Sequence, residues 1–180
     1  MPKDATQVRT ADCQSKFWVG PVGTVRPVGP TTAFGAGWVD MGYLTDAPDL
    51  KRDLSANDIE GWNACDPLRT IIEKDDAELT VVLAQTNSAN WELYFGLGTW
   101  AAVTGGREFT PTAGVVEKAL AIEVNDGTNV LRLGWHRSGV SDIGKLNLDK
   151  ADAITYEVTF KRLAPATGPS WWAQSNIVGL

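Results

Sequence analysis

Residues 117–137, EKALAIEVNDGTNVLRLGWHR, are the most informative stretch for the fold class, because two alternating segments lie on either side of a turn. In both segments every second residue is apolar, which is typical of a half-buried β-strand. These apolar residues are Leu120, Ile122, Val124, Leu131, Leu133 and Trp135. The triplet Asn125-Asp126-Gly127 favours a hairpin turn, since these residue types tolerate positive φ. The stretch therefore predicts an antiparallel hairpin of strands 117–125 and 129–137.

Further strands are predicted on both sides of this hairpin. Residues 152–162 give the clearest one, because Ile154, Tyr156, Val158 and Phe160 alternate with polar residues and require one buried face. Upstream, short strands are expected at 16–19, 37–44, 54–63, 67–74 and 78–85. In 37–44 the alternation places Val39, Met41 and Tyr43 on one face and Trp38 and Asp40 on the other. Asp75-Asp76 is expected to be a turn.

One short helix is predicted near residues 88–96. Ser88 can act as its N-cap, Gly96 can end it, and Trp91, Tyr94 and Phe95 fall on one stripe. A helix this short needs tertiary support, so the aromatic stripe is expected to lie against a sheet. Residues 97–113, rich in Gly and Thr, are interpreted as a long connection.

The fold class is therefore mainly β, a β-sandwich or partly open barrel with one short α-helix. The chain is interpreted as a single domain spanning 1–180. Residues 1–32, rich in Pro and Gly, form an N-terminal arm carrying one short strand. Residues 33–164 form the core, and residues 165–180 form a C-terminal tail beyond a Pro- and Gly-containing breaker.

Composition excludes several classes of function. A net charge of −6 and a pI near 4.7 oppose tight phosphate binding, so a sequence-reading DNA binder is not expected. No apolar run approaches the roughly 18 residues that span a bilayer, so no membrane association is expected. The start of the chain lacks an apolar leader, which predicts synthesis in a bacterial cytoplasm. Cys13 and Cys65 are too few for a disulfide framework.

Catalytic residues are not evident, and neither an enzyme nor a cofactor or metal is expected. His136 is the single histidine and is interpreted as a surface residue beside Arg132, without partners for a triad or a metal site. Five carboxylates could pair for glycoside hydrolysis, although acidic residues on turns and solvated faces are more common. They are Asp40, Asp58, Glu60, Glu73 and Asp75.

Eight tryptophans are an excess for 180 residues. Tryptophan is favoured where large apolar areas are buried at subunit contacts or ligand platforms. A carbohydrate-binding β-sandwich is therefore an alternative function. The tryptophans are spread from Trp18 to Trp172, however, rather than gathered on one strand face.

The order of several motifs resembles a known family. The N-terminal arm carries FWVGP at 17–21, followed by GWVDMGYL at 37–44, CDPLRT at 65–70 and AQTNSANWELYFG at 84–96. This order is similar to that of the major tail protein, or tail tube protein, of siphophages that infect actinobacteria. The resemblance covers most of the chain.

The resemblance implies a structural virion protein with a tail-tube-like fold. Its copies would assemble as hexameric rings that stack into a hollow tube, the conduit for DNA delivery into the host. The implied partners are the chain itself, the tape measure protein, the tail terminator and distal tail proteins, and double-stranded DNA that passes without sequence-specific binding. An acidic wall suits this passage, because a basic wall would retain phosphates.

Three regions are expected to contact neighbouring subunits. The polar segment 45–54 is longer than a tight hairpin requires, so it is predicted to protrude as a loop or hairpin. The N-terminal arm and the Trp-rich tail are predicted to lie across neighbours, because exposed paired tryptophans are costly. The alternative is that the tail folds back on its own core. The candidate contact residues are Asp46, Pro48, Asp49, Lys51, Arg52, Trp18, Trp171 and Trp172.

Overall fold

The computed structural model describes residues 10–63, 65–148, 150 and 152–177, and the first nine and last three residues of the expected arms lie outside it. Ten strands and one helix occur within these residues. Their bounds are β1 Lys16–Pro21, β2 Val39–Asp40, β3 Asp49–Ile59, β4 Arg69–Leu83, α1 Ser88–Phe95, β5 Gly98–Val103, β6 Gly106–Pro111, β7 Glu117–Asp126, β8 Asn129–Asn147, β9 Thr155–Arg162 and β10 Trp171–Ser175.

Eight strands form one antiparallel sheet. Its order is β2-β1-β7-β8-β9-β4-β3, and β10 pairs with β8 beside this path. The remaining two strands, β5 and β6, form a separate hairpin. The predicted central hairpin is confirmed as β7 and β8, with Gly127 at φ 61° in the turn. The mainly β fold with one short helix is therefore confirmed.

The sheet folds over onto itself to enclose the core. The ring centroids of Phe17 in β1 and Phe160 in β9 are 6.0 Å apart, although β7 and β8 lie between their strands. Neighbouring strands are about 4.8 Å apart, so a flat sheet would separate these two strands by about 14 Å. Shifts in the β8–β9 register after Val140 and after Ile143 accompany the bend, as bulges do elsewhere. The sheet curls without closing into a barrel.

The enclosed core combines residues from both halves of the folded sheet and from the helix. Its buried members include Phe17, Val19, Met41, Leu79, Val81, Leu83, Leu93, Leu120, Trp135, Tyr156, Val158 and Phe160. The predicted alternation of 152–162 is confirmed for Tyr156, Val158 and Phe160, whereas Ile154 precedes β9 and is exposed. Burying side chains of this size stabilises a fold by about 1.5–3 kcal/mol each relative to exposing them.

Helix α1 is confirmed close to its predicted position, with a different cap. The Asn87 side chain, not that of Ser88, accepts a hydrogen bond from the backbone N–H of Asn90 at 2.8 Å. Leu93 is buried in the core. The predicted aromatic stripe is divided: Tyr94 packs against the sheet, Trp91 contacts the β5–β6 hairpin and Phe95 is partly exposed.

Two predicted irregular segments are regular strands. Residues 97–113 are not a connection, since they contain the β5–β6 hairpin, in which Trp100 lies opposite Phe109. Both rings pack near Trp91 of the helix, and this long-range aromatic contact supports the hairpin despite its glycines. Strand β4 runs straight through Asp75-Asp76 instead of turning there. Ion pairs with neighbouring strands hold these two carboxylates in an extended backbone.

The predicted strand 37–44 is mostly irregular. Only Val39 and Asp40 pair with β1, and the expected alternation is wrong because Trp38 and Met41 are buried while Val39 and Tyr43 are exposed. Gly42, at φ 79°, interrupts the extended backbone, and its N–H donates to the Asp40 carboxylate.

Candidate assembly surface

A long hairpin extends beyond the main sheet. Strand β4 pairs with β9 only from Glu78 to Leu83, whereas its pairing with β3 runs from Arg69 to Thr80. All eleven residues of β3 are exposed. We call residues 55–74 the hairpin arm, of which all but residue 64 are described. The two strands of the hairpin arm pair only with each other, so the arm is available to another molecule.

Apolar side chains line the hairpin arm even though no core covers them. Trp62 is fully exposed at its tip. Other large apolar side chains exposed on the arm are Ile59, Leu68, Ile71 and Ile72. Single exposed apolar residues are normal, but a cluster on a projecting element indicates a binding surface. The tip, residues 57–68, also contains Asp58, Glu60 and Asp66 and no Lys or Arg.

Ion pairs fasten the base of the hairpin arm to the sheet. The Arg52 guanidinium binds the Asp75 carboxylate through two hydrogen bonds, of 2.7 and 2.8 Å. Arg162 of β9 lies 3.0 Å from the same carboxylate and also donates to the Asp75 carbonyl. The hydrogen bond from Arg52, and then that from Arg162, lowers the pKa of Asp75 to about 2, against the opposing effect of desolvation.

The neighbouring Asp76 binds two lysines on the opposite face of β4. Its carboxylate lies 2.8 Å from the Lys74 amine and 2.9 Å from the Lys161 amine. These contacts lower the pKa of Asp76, with the hydrogen bond from Lys74 as the largest cause. Strand register places further charged residues on this face, which we call the polar face. Its carboxylates are Asp49, Asp53, Asp76, Glu78, Asp142 and Glu157, and its amines include Lys51, Lys74 and Lys161.

An apolar groove lies where the sheet divides. Strand β9, the partner of β4, ends at Arg162. The chain then returns to the sheet as β10, which pairs with β8 and not with β4. The space between these strands has a volume of ≈ 140 Å³. We call it the split groove, and its apolar lining includes Leu50, Ala77, Leu133, Trp135 and Trp171. The side chains of Arg52 and Arg162 also line it.

Residues 22–38 cover one face of the sheet. This is the face of strands β1, β7 and β8 that points away from the enclosed core. Arg132, which is buried, donates from its guanidinium to the carbonyl oxygens of Gly29 at 2.9 Å and Thr32 at 2.6 Å. It also donates to the Glu123 carboxylate at 2.7 Å and lies over the Phe34 ring. An aromatic cluster completes this cover: Trp18, Phe34, Trp38 and Trp172.

The structure separates the residues predicted to contact neighbours. Asp46 and Pro48 lie before β3, and Asp49, Lys51 and Arg52 lie in its first half, at the base of the hairpin arm rather than at its tip. The segment 45–54 is thus not a loop by itself.

The three predicted tryptophans lie in two places. Trp18 and Trp172 pack within their own chain, whereas Trp171 is 48% exposed beside the split groove. The tail therefore folds back on its own sheet through β10, which is the alternative left open by the sequence.

Sequence reasoning missed the tip of the hairpin arm. Residues 54–63 and 67–74 were predicted as strands, and nothing in that prediction separated them from core strands. A signal was present, because only three of the eleven residues of β3 are large and apolar, namely Leu50, Leu54 and Ile59. A strand with so few apolar side chains has little apolar surface to bury in a core.

No catalytic arrangement is visible among the described residues. Within residues 10–63, 65–148, 150 and 152–177, no group of three or more His, Cys, Asp or Glu could hold a metal ion. His136 is half-buried, and burial, followed by the charge of Arg26, lowers its pKa. None of the helices in the described part of the chain has the length and apolar character to span a membrane.

The comparison with known proteins agrees with an assembling surface. The family model of the phage tail tube protein matches residues 1–176, which is nearly the whole chain. A comparison with curated proteins gave no match. The resemblance to phage tail tube proteins that the motif order indicates is thereby confirmed, and this family is one of structural virion proteins. The chain belongs to the phage tail tube protein family.

Proposed function

We propose that copies of this chain assemble as hexameric rings and that the rings stack into the tail tube through which phage DNA enters the host. The observation that carries this proposal is the hairpin arm, which exposes Trp62 and neighbouring apolar side chains beyond the sheet. A partner must cover these side chains to remove them from water. A repeating polymer of one chain provides the same partner to every copy.

The free edge of the sheet supports ring formation. Within the described residues, β3 ends the strand order and pairs with β4 alone, so its outer edge keeps unpaired N–H and C=O groups over eleven residues. A long exposed edge invites pairing with another chain. Closing six copies into a ring would satisfy such edges and form one large shared barrel. Barrels with roughly 16–18 strands already enclose water, so a larger one accommodates duplex DNA.

The polar face supports DNA passage. It has more carboxylates than lysines, and the lysines Lys74 and Lys161 are engaged by Asp76. Phosphate binding requires cations that can displace counterions. Amines already paired with carboxylates bind DNA weakly, so a channel lined by the polar face allows DNA to slide without sequence-specific contacts. We assign this face to the lumen.

The predicted contact residues take different parts in this assembly. Asp46, Pro48, Asp49, Lys51 and Arg52 lie at the base of the hairpin arm and contact the adjacent subunit or ring as the arm engages it. Trp171 contributes from the split groove.

The two tryptophans of the aromatic cluster act indirectly. Trp18 and Trp172 hold β1 and β10 in place and so shape the surface that a neighbour meets.

The remaining partners follow from this role. The tape measure protein occupies the lumen during assembly, and the terminator and distal tail proteins bind the two ends of the tube. The chain is made in the host cytoplasm, acts in the virion without membrane contact, and catalyses no reaction.

Shortening the hairpin arm tests the proposed assembly. In the test variant, residues 57–71 are replaced by Asn-Gly, a pair suited to a two-residue hairpin turn. The variant is expected to be folded by circular dichroism, monomeric by sedimentation velocity and without tubes in electron micrographs, because the sheet is intact and the covering contact is gone. Val28→Ala, which changes an exposed residue of the segment 22–38, is the control and should form tubes.

Two results would contradict the proposal. One is growth of normal tubes from the shortened variant. The other is a wild-type protein that stays monomeric at high concentration while a polysaccharide column retains it, which would favour the carbohydrate-binding alternative.

A further inference from the structure

The split groove is an apolar surface that its own chain leaves uncovered. Trp171 and Leu50 are each about half exposed beside it, at 48% and 45%. Trp135 lies at its floor and is almost fully buried. The groove is open because β9 ends at Arg162 and the chain returns as β10 on a different strand, β8. On the side where β9 pairs with β4, the residues of β4 before Glu78 therefore have no partner strand. The groove therefore combines apolar side chains with a free strand edge.

The charge at the groove is positive. Arg52 and Arg162 both line it and share the single carboxylate of Asp75. One positive charge therefore remains after this pairing. An excess positive charge attracts an acidic partner and orients it as it approaches. The groove thus suits a segment that is apolar and acidic.

The tip of the hairpin arm has this composition. Between residues 57 and 68 it carries Ile59, Trp62 and Leu68 together with three carboxylates, and no basic residue. Trp62 is fully exposed. Tryptophan is enriched among the residues that dominate binding energy at protein interfaces. The tip and the split groove are complementary in both polarity and charge.

The tip cannot enter the groove of its own chain. Leu50 lines the groove at the base of β3, and Ile59 in the tip is nine residues further along the same strand. At about 3.3 Å per residue, the strand carries the tip about 30 Å away. The occupant must therefore come from another molecule.

We propose that the tip of the hairpin arm of one copy, residues 57–68, inserts into the split groove of a second copy. This inference rests on the proposed function and names the two surfaces that meet. The contact is heterologous, since each copy offers one tip and one groove. Heterologous contacts that do not close into a ring propagate as filaments. The contact thereby connects each copy to the next along the tube.

Site-directed cross-linking tests this contact. Cys65 lies in the tip and is exposed, so it serves as the first thiol once Cys13→Ser has removed the other cysteine. Leu50→Cys supplies the second thiol in the groove and keeps a small apolar side chain. Tubes of the Cys13→Ser, Leu50→Cys protein, treated with a short thiol-specific cross-linker, are expected to give covalent chains of two, three and more copies. Val28→Cys in the same background is the control and should give at least tenfold less product.

The outcomes separate this contact from the proposed function. Tubes without cross-linking between residues 50 and 65, or with no more than the Val28→Cys control, overturn the tip-in-groove contact and leave tube formation standing. Protein that forms no tubes before mutation overturns the proposed function itself. A separate variant needs no new thiol: Trp62→Ala should raise the protein concentration required for tubes at least tenfold, whereas an unchanged concentration would contradict the contact.

Discussion

The guanidinium of Arg132 shows how one residue joins distant parts of the chain. It is buried, and it binds Glu123 in β7 and two backbone carbonyls in residues 22–38. A buried charge is costly unless all its hydrogen bonds are satisfied. Two of the acceptors are carbonyl oxygens about a hundred residues away in the sequence, so the position of residues 22–38 depends on this side chain. The sequence suggested only a solvent-facing position for Arg132, because it alternates with apolar neighbours.

Replacing this arginine should destabilise the monomer strongly. Arg132→Met removes a buried guanidinium and leaves the partly buried Glu123 without its partner, which is expected to lower the free energy of unfolding by roughly 3–5 kcal/mol. The double variant Arg132→Met, Glu123→Leu removes both charges and should recover part of the loss. Urea unfolding followed by tryptophan fluorescence measures both. A single variant within about 1 kcal/mol of wild type would show that the contact to residues 22–38 is not structural.

Strand β4 is the element that differs most from its prediction, because it is continuous where a turn was expected. Asp75-Asp76 has the composition of a turn, yet the strand continues through it. Arg52, Arg162, Lys74 and Lys161 neutralise the two carboxylates from both faces. Most of these cations lie in the neighbouring strands β3 and β9. The extended backbone at Asp75-Asp76 therefore depends on ion pairs between strands, which the residues around this pair in the sequence do not indicate. The continuous strand in turn supports the hairpin arm.

Acidification should loosen this element. The pKa of Asp75 is about 2 in the folded chain and 3.8 as its ordinary value, so the unfolded chain binds the proton more readily. The stabilisation from the ionised carboxylate is complete above about pH 4 and is lost as the pH falls towards 2. The difference in urea midpoint between wild type and Asp75→Asn should therefore shrink over this window. Asp46→Asn, outside the ion-pair network, is the control, and a pH-independent difference for Asp75→Asn would contradict the assignment.

The C-terminal strand β10 belongs to the fold of the monomer as well as to the proposed assembly. Strand β10 pairs with β8 from Trp171 to Ser175, and Trp172 is buried over Gly134. Gln174 also donates to the Pro27 carbonyl at 2.7 Å. The tail thus closes one edge of β8 and helps to hold residues 22–38. Its neighbour Trp171 remains available to a second copy.

Removing residues 165–180 should weaken both stability and assembly. Loss of the buried Trp172 alone is expected to cost roughly 3–5 kcal/mol, by analogy with large-to-small substitutions in cores. Trp171→Ala is the matched variant, because its half-exposed ring should matter for tube formation and little for unfolding. Urea titration and sedimentation velocity distinguish the two effects. A truncated chain with wild-type stability would show that β10 is not part of the folded sheet.

The mainly β class, the β7–β8 hairpin, the buried face of β9 and the short helix are all predictable from the amino-acid pattern, and the order of the motifs indicates the tail tube family. These features depend on periodicity and turn chemistry, which act between near neighbours in the chain. Four other features follow from three-dimensional packing: β4 passes through Asp75-Asp76, residues 97–113 form a hairpin, β10 returns to β8, and the hairpin arm lies far from the split groove. Each of these features depends on contacts between residues that are distant in the sequence. Alternation of apolar residues shows that one face of a strand is buried, but it does not show which other residues pack against that face.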